Sequence, residues 1–200
     1  MFKMRVADYV IKDGMAAIHY AVKTVVGLVE NASRSIWILS AHSKNSKKLI
    51  GLLNIHRYRV SMFDDASELL ETLNTKAPDL LIINESELMN GFSNVKFIQK
   101  LRSLYSQSKL PVLLCEEQVN IAEVIKLMKY GVNDFYNHRF TVEELYVRVQ
   151  MNLSLTCSYK QIEKISQTDP LTGLYNRRYF FEQTDHCLLY TSDAADDETS

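Results

Sequence analysis

Cysteine is scarce in this 200-residue chain, and what there is stands apart: Cys115, Cys157 and Cys187 match no paired metal-ligand spacing. That argues against a disulfide scaffold and a zinc module, and points to a thiol-reducing cytoplasm. Long apolar runs are also lacking. The longest are interrupted within a few residues, and Met1-Phe2-Lys3-Met4-Arg5 is not followed by an uninterrupted apolar stretch, so the chain reads as having neither a membrane span nor an export signal. A charge excess is missing too. With 23 basic and 24 acidic residues well interspersed, the formal net charge of −1 provides no long-range field to gather nucleic acid or anionic lipid. What is present is apolar content of 46%, enough for a core of ordinary size.

From Arg34 onward, short apolar runs alternate with longer helix-period segments, the pattern of a parallel sheet flanked by helices. Ser35–Leu39 reads as a first strand, followed by a helix that Ser43 or Asn45 can cap and that carries Leu49, Leu52, Leu53 and Ile55. Tyr58–Phe63 is a second strand and Ala66–Leu73 a second helix. Asp79–Ile83 is nearly all apolar, as a strand buried on both faces should be. A loop ending near Gly91 leads to a helix with Val95, Ile98, Leu101 and Leu104. Pro111–Cys115 is a fourth strand, Ile121–Lys129 a fourth helix and Asp134–Tyr136 a short fifth strand, after which Thr141 caps a last helix with Glu144 three residues on. Five βα units in about 120 residues predict a doubly wound, flavodoxin-like α/β domain with strand order 2-1-3-4-5. Ile36, Ile38, Leu81, Ile83, Val112 and Leu114 are its expected core. Nothing glycine-rich follows the first strand: Ser40-Ala41-His42-Ser43-Lys44-Asn45 offers no phosphate-cradling loop, which counts against a flavin or nucleotide binder.

The first 32 residues repeat part of the domain after them. Val6–Val10 and an amphipathic helix (Ile18, Val22, Val25, Val26, Val29) resemble Val132–Tyr136 and its helix, at an offset of 126 positions, roughly one domain of this class. The reading is a tandem repeat whose first copy is represented by its last βα unit.

With these loops, the architecture resembles the receiver (CheY-like) domain of two-component response regulators. In that family an acidic pair after the first strand holds Mg²⁺, an Asp ending the third strand takes a phosphoryl group, a Ser or Thr ends the fourth strand and a Lys the fifth. Carboxylates suit the hard cation, which neutralises charge on the transferring group. Pro78–Ile83 resembles the family's third strand and places Asn84 at the acceptor position, and a carboxamide is not a competent acceptor. Ser40 and Ala41 stand for the acidic pair, Glu116 for the hydroxyl residue and His138 for the Lys. Four positions departing together imply a pseudo-receiver that needs neither phosphate nor Mg²⁺ and serves as an adaptor or dimerisation module. Glu85 and Glu87 offer at most an adventitious cation contact. The first copy departs less: Asp8–Gly14 matches the family's fifth strand with Lys12 at the phosphate-sensing position, so a sensor histidine kinase is an expected partner of that receiver.

A second resemblance is carried by Asp169-Pro170-Leu171-Thr172-Gly173-Leu174-Tyr175-Asn176-Arg177-Arg178, which is similar to the motif that opens GGDEF domains, the diguanylate cyclases that condense two GTP into cyclic di-GMP. Pro170 and Gly173 punctuate a turn, and Asn176 can start a helix with Phe180 facing inward. The family's metal-binding aspartate and Gly-Gly-Asp/Glu-Glu-Phe turn are not among these residues, so the chain as given is expected not to be a cyclase. The longer protein is, with Mg²⁺ and GTP as its requirements. Cys187–Asp196 resembles the in-frame translation of a transposase adapter used in sequencing libraries, and residues 187–200 are set aside as a processing scar.

Between the two, Leu145, Val149, Leu153, Leu155, Tyr159, Ile162 and Ile165 form a broken apolar stripe, so the last receiver helix should run on towards Thr168. The resemblance implies that this helix pairs with its twin in a homodimer. The expected organisation is a first-receiver remnant (1–32), a degenerate receiver (33–153), a helical linker (154–168), a GGDEF opening (169–186) and the scar. The competing reading is a non-enzymatic response-regulator adaptor acting through protein contacts.

Overall fold

A computed structural model of the chain describes residues 14–40, 43–84, 94–118, 120–139, 141–169, 171–181 and 184. The expected strand at Val6–Val10, with Lys12, lies outside them, as do Ala41, Glu85, Glu87 and the residues from 187 on. Two compact units divide the chain, residues 1–156 and 157–200.

In chain order the described elements are α1 (Gly14–Asn31), β1 (Ser35–Leu39), α2 (Ser43–Ile55), β2 (Arg59–Phe63), α3 (Ala66–Leu73), β3 (Leu80–Asn84), α4 (Asn94–Leu104), β4 (Val112–Glu116), α5 (Ile121–Tyr130), β5 (Asp134–Asn137) and α6 (Val142–Gln167), the last of which runs from the first unit into the second. All strand pairs are parallel, in the order β2-β1-β3-β4-β5. Runs that are apolar at every position can satisfy a sheet only if both faces are covered. Accordingly β3 and β4 are buried throughout, while the edge strand β2 is mostly exposed. Alternation divides the core in two. Trp37, Leu81, Ile83, Val112 and Leu114 meet α3, α4 and α5 residues such as Leu69, Phe97 and Leu127 on one face. Ile36, Ile38, Ile82 and Leu113 meet Leu49 and Leu53 of α2 and Leu145, Val149 and Leu153 of α6 on the other.

Local chemistry sets the helix ends. The carboxylate of Asp65 accepts from the amides of Ser67 and Glu68, and the Asn120 side chain accepts from Ala122 and Glu123, so each fills two otherwise unbonded first-turn donors. Thr141 Oγ1 accepts from Glu144 N at 3.3 Å. At the far end of α2, Arg57 takes a φ of +67° while Arg57 N donates to Asn54 O and Tyr58 N to Leu53 O. This double bond pattern, with Leu53 against Tyr58, closes the helix and aims the chain into β2.

The structure refines one sequence expectation and changes two. The break in the apolar stripe of the last helix divides it into two faces: Leu145, Val149 and Leu153 are buried, whereas Leu155, Tyr159, Ile162 and Ile165 are exposed. The inward run needs only the length that covers the sheet. Leu104, expected inside, is 44% exposed: it is the last residue of α4, whose buried face is Phe97, Ile98 and Leu101. Phe180, expected to face inward, is 62% exposed, since nothing described in its own unit forms a core for it.

Candidate functional site

In an open parallel sheet, ligand sites form beyond the carboxyl ends of the strands, where the order reverses between neighbours. Here that place lies past Leu39 of β1 and Asn84 of β3. The register aligns Leu39 with Ile83 and Asn84 with Cys115, bringing Ser40, Asn84 and the β5 exit to one end of the sheet. Ser40 and Asn84 are each 1% exposed. Ser46, in the first turn of α2, is buried with them, although no sequence pattern singles it out. Its hydroxyl donates to Ser40 Oγ at 2.7 Å.

Asn84 binds this group through both ends of its carboxamide. Its Nδ2 donates to Ser40 Oγ at 3.4 Å and lies 3.5 Å from Ser46 Oγ, while its Oδ1 is 2.8 Å from His138 Nε2. Because a carboxamide oxygen can only accept, His138 must carry a proton on Nε2. The arrangement is therefore a hydrogen-bonded network of two hydroxyls, an amide and an imidazole. Glu116 sits at the end of β4, and its carbonyl accepts from His138 N at 3.0 Å, which fixes the start of the turn into α6. The neighbouring Cys115 is fully buried, and burial pushes its thiol far above the ordinary range, so it is no nucleophile at neutral pH.

Donor chemistry decides whether Mg²⁺ suits this place. A small octahedral cation held by protein takes one or two carboxylates among its ligands. Here the network offers hydroxyls and a carboxamide whose oxygen faces a ring N–H, and among the described residues no group of three or more His, Cys, Asp or Glu is placed to hold a metal. The donor set does not fit the ion.

Beside the network a cavity of about 140 Å³ opens between α2 and α6. Leu49, Leu52, Val142 and Leu145 form its apolar wall, and Lys48, Glu117, Tyr136 and His138 its polar side. His138 thus belongs to both places. Tyr136 meets it edge-on, with ring centroids 5.7 Å apart, and donates its hydroxyl to Thr141 O at 3.3 Å.

In the second unit, the Asp169 carboxylate accepts from the amides of Leu171 and Thr172 and from the Thr172 hydroxyl, at 2.9 to 3.0 Å. These donors hold its carboxyl below the usual range. Gly173 takes φ +70°, which lets Asp169 N reach Leu174 O at 2.8 Å, and a single antiparallel bridge joins Thr168 to Tyr175. Asn176 caps the next turn by accepting from Tyr179 N, while its Nδ2 donates to Ser166 O and Arg178 donates to Ser166 Oγ. Leu171 and Leu174 are exposed. The turn is closed by its own polar atoms and presents its apolar residues outward.

Residues 34–150 match the family described as the response regulator receiver domain. Among curated proteins, the chain is 31% identical over 114 residues to the response regulator PleD of Caulobacter vibrioides, a match spanning 54% of this chain and 25% of PleD. It is 26% identical over 144 residues to hybrid signal transduction histidine kinase D of Dictyostelium discoideum, a match spanning 71% of this chain and 9% of that protein. Among solved structures, it is similar to a two-component system response regulator/GGDEF domain protein, with a TM-score of 0.67 and 27% identity over 76% of this chain and 62% of that one. A two-component response regulator from Clostridium difficile shares the fold, with a TM-score of 0.54 and 16% identity over 61% of this chain and 97% of that one.

Proposed function

The chain belongs to the response regulator receiver family through residues 34–150, and from that premise we propose that it is part of a diguanylate cyclase-type response regulator whose receiver here works without phosphoryl transfer. The observation that carries this reading is the pairing of Asn84 with His138 at 2.8 Å. A receiver needs a carboxylate nucleophile there and a cation-holding acidic pair beside it, and this domain has instead an amide satisfied by its neighbours. Ser40 continues the same hydroxyl network. Such a domain acts by contact, as an adaptor or dimerisation module.

Two features support the wider architecture. Ile18, Val22, Val25, Val26 and Val29 of α1 are all about half exposed or more, and each lies 127 positions before a buried residue of α6, one more than the offset between the two strands: Leu145, Val149, Asn152, Leu153 and Thr156. The sheet-covering face of a receiver's last helix is thus repeated in α1, and a preceding receiver sheet would cover it, with Lys12 at its strand end and a sensor kinase as its phosphoryl donor. The closed turn from Asp169 to Arg178 supports a GGDEF domain as output, for which GTP and Mg²⁺ are the expected requirements.

The test is phosphorylation with acetyl phosphate and Mg²⁺, followed by intact mass. No acid-labile adduct is expected on residues 34–153, and Asn84→Asp alone should not create one, since the acidic pair is still absent. A Mg²⁺-dependent adduct on the unaltered chain would refute the reading.

A further inference from the structure

We propose that the cavity between α2 and α6 is a binding site for a small amphipathic monocarboxylate, and that its occupancy is the input that replaces phosphorylation in this domain. The inference rests on the phosphate-independent reading above and adds a ligand class to it. Three observations carry it.

The first is size and lining. A closed apolar cavity of about 150 Å³ is enough to hold a benzene ring, and this one measures about 140 Å³, with Leu49 and Leu145 fully buried in its wall. An apolar body the size of a benzene ring fits there, against Leu52 and Val142.

The second is charge. Lys48 lines the same space and makes no ion pair among the described residues, and His138 presents its imidazole there, held in orientation by Asn84. A single carboxylate can meet the ammonium while its apolar body lies against the leucine wall. Inorganic phosphate has no apolar body to lay against Leu49, Leu52 and Val142, so it is disfavoured.

The third is position. Val142 and Leu145 belong to the first turn of α6, and His138 to the segment leading into it. A ligand seated here therefore touches the helix that leaves the receiver. Differential contact with α6 is what would let a ligand shift its position.

The experiment is a nitrogen-15 NMR titration of the 200-residue chain with sodium benzoate as probe, with benzyl alcohol and inorganic phosphate as comparators. Saturable shifts of the Leu49, Leu52, His138, Val142 and Leu145 amides are expected, at least fivefold weaker for benzyl alcohol and for Lys48→Gln, with phosphate not competing. Val142→Phe should fill the cavity and abolish the shifts, and Leu52→Phe serves the same purpose if that variant loses its dispersed spectrum. Absence of saturable shifts, or shifts that survive cavity filling, would overturn the proposal. Parallel acetyl phosphate treatment separates the two ideas: an adduct at the strand ends would overturn both, while no adduct together with no benzoate binding would overturn only this one.

Discussion

Gly131 shows how little freedom a single position can have. It ends α5 at φ +121°, and a Cβ there would lie 2.8 Å from Arg102 Nε and 2.9 Å from its Cγ. Arg102 cannot readily withdraw, because its guanidinium donates to the carbonyls of Gly131, Tyr105 and Leu110 and to Asn133 Oδ1. Burial draws its pKa down to about 10, so it remains charged at neutral pH. Gly131→Ala therefore combines backbone strain with a clash against a fixed side chain and should cost at least about 2 kcal/mol. Arg57 is the converse case: a β-carbon is held at φ +67° with nothing gained from it, and Arg57→Gly should stabilise the fold by roughly 0.5 to 1 kcal/mol. Urea midpoints of the two variants should move in opposite directions. At this scale the site was half legible. Asn84 and His138 stand out in sequence because a family pattern marks their positions, but their contact spans 54 residues and Ser46 is marked by nothing. Only folding brings a first-turn serine to a strand end.

Between elements, the seam joining the end of α2, the start of β2 and α6 is built on aromatic rings. Tyr146 of α6 lies against His56 with centroids 3.5 Å apart and donates to Leu52 O at 3.1 Å, and Tyr58 is 3% exposed. Burial pushes both phenols up to about 12. In the unfolded chain a tyrosine ionises near 10. Since the folded state favours the neutral form, its contribution to stability is complete below pH 10 and is lost as pH rises from about 10 to about 12. A urea series across that window should show the decline, and Tyr58→Phe with Tyr146→Phe should flatten it. The strands were legible because a run such as Leu80–Ile83 has only one way to be buried. The two faces of α6 were harder to separate, since apolar residues every three or four positions look alike whether they meet a sheet or solvent. The outer face, with Met151, Leu155, Tyr159 and Ile162 exposed, is the proposed pairing surface. Leu155→Asp with Ile162→Asp should therefore convert dimer to monomer in light scattering at micromolar concentration. An unchanged mass would remove α6 from the interface.

At the scale of the whole chain, activity depends on what its 200 residues can supply to the chemistry. Joining two GTP molecules requires carboxylates for metal ions, a shaped guanine pocket and a second loaded domain facing the first. The residues from Asp169 to Phe180 supply a self-closed turn instead, in which the one carboxylate is committed to the amides of Leu171 and Thr172 and to the Thr172 hydroxyl. An acid already holding three donors within its own turn is poorly placed to take a metal as well. The 200-residue chain should accordingly form no cyclic di-GMP from GTP and Mg²⁺, as read by chromatography of the reaction. A longer gene product with an intact Gly-Gly-Asp/Glu-Glu-Phe turn should form it, and Asp169→Ala in that protein should lower turnover by loosening the join to α6 while leaving the receiver's own unfolding unchanged. Product from the 200 residues alone would show that the turn is not merely an entrance. Silence from the longer protein, under phosphorylating and non-phosphorylating conditions alike, would favour an adaptor that acts only through contacts, because the receiver described here requires no enzyme beside it to perform that role.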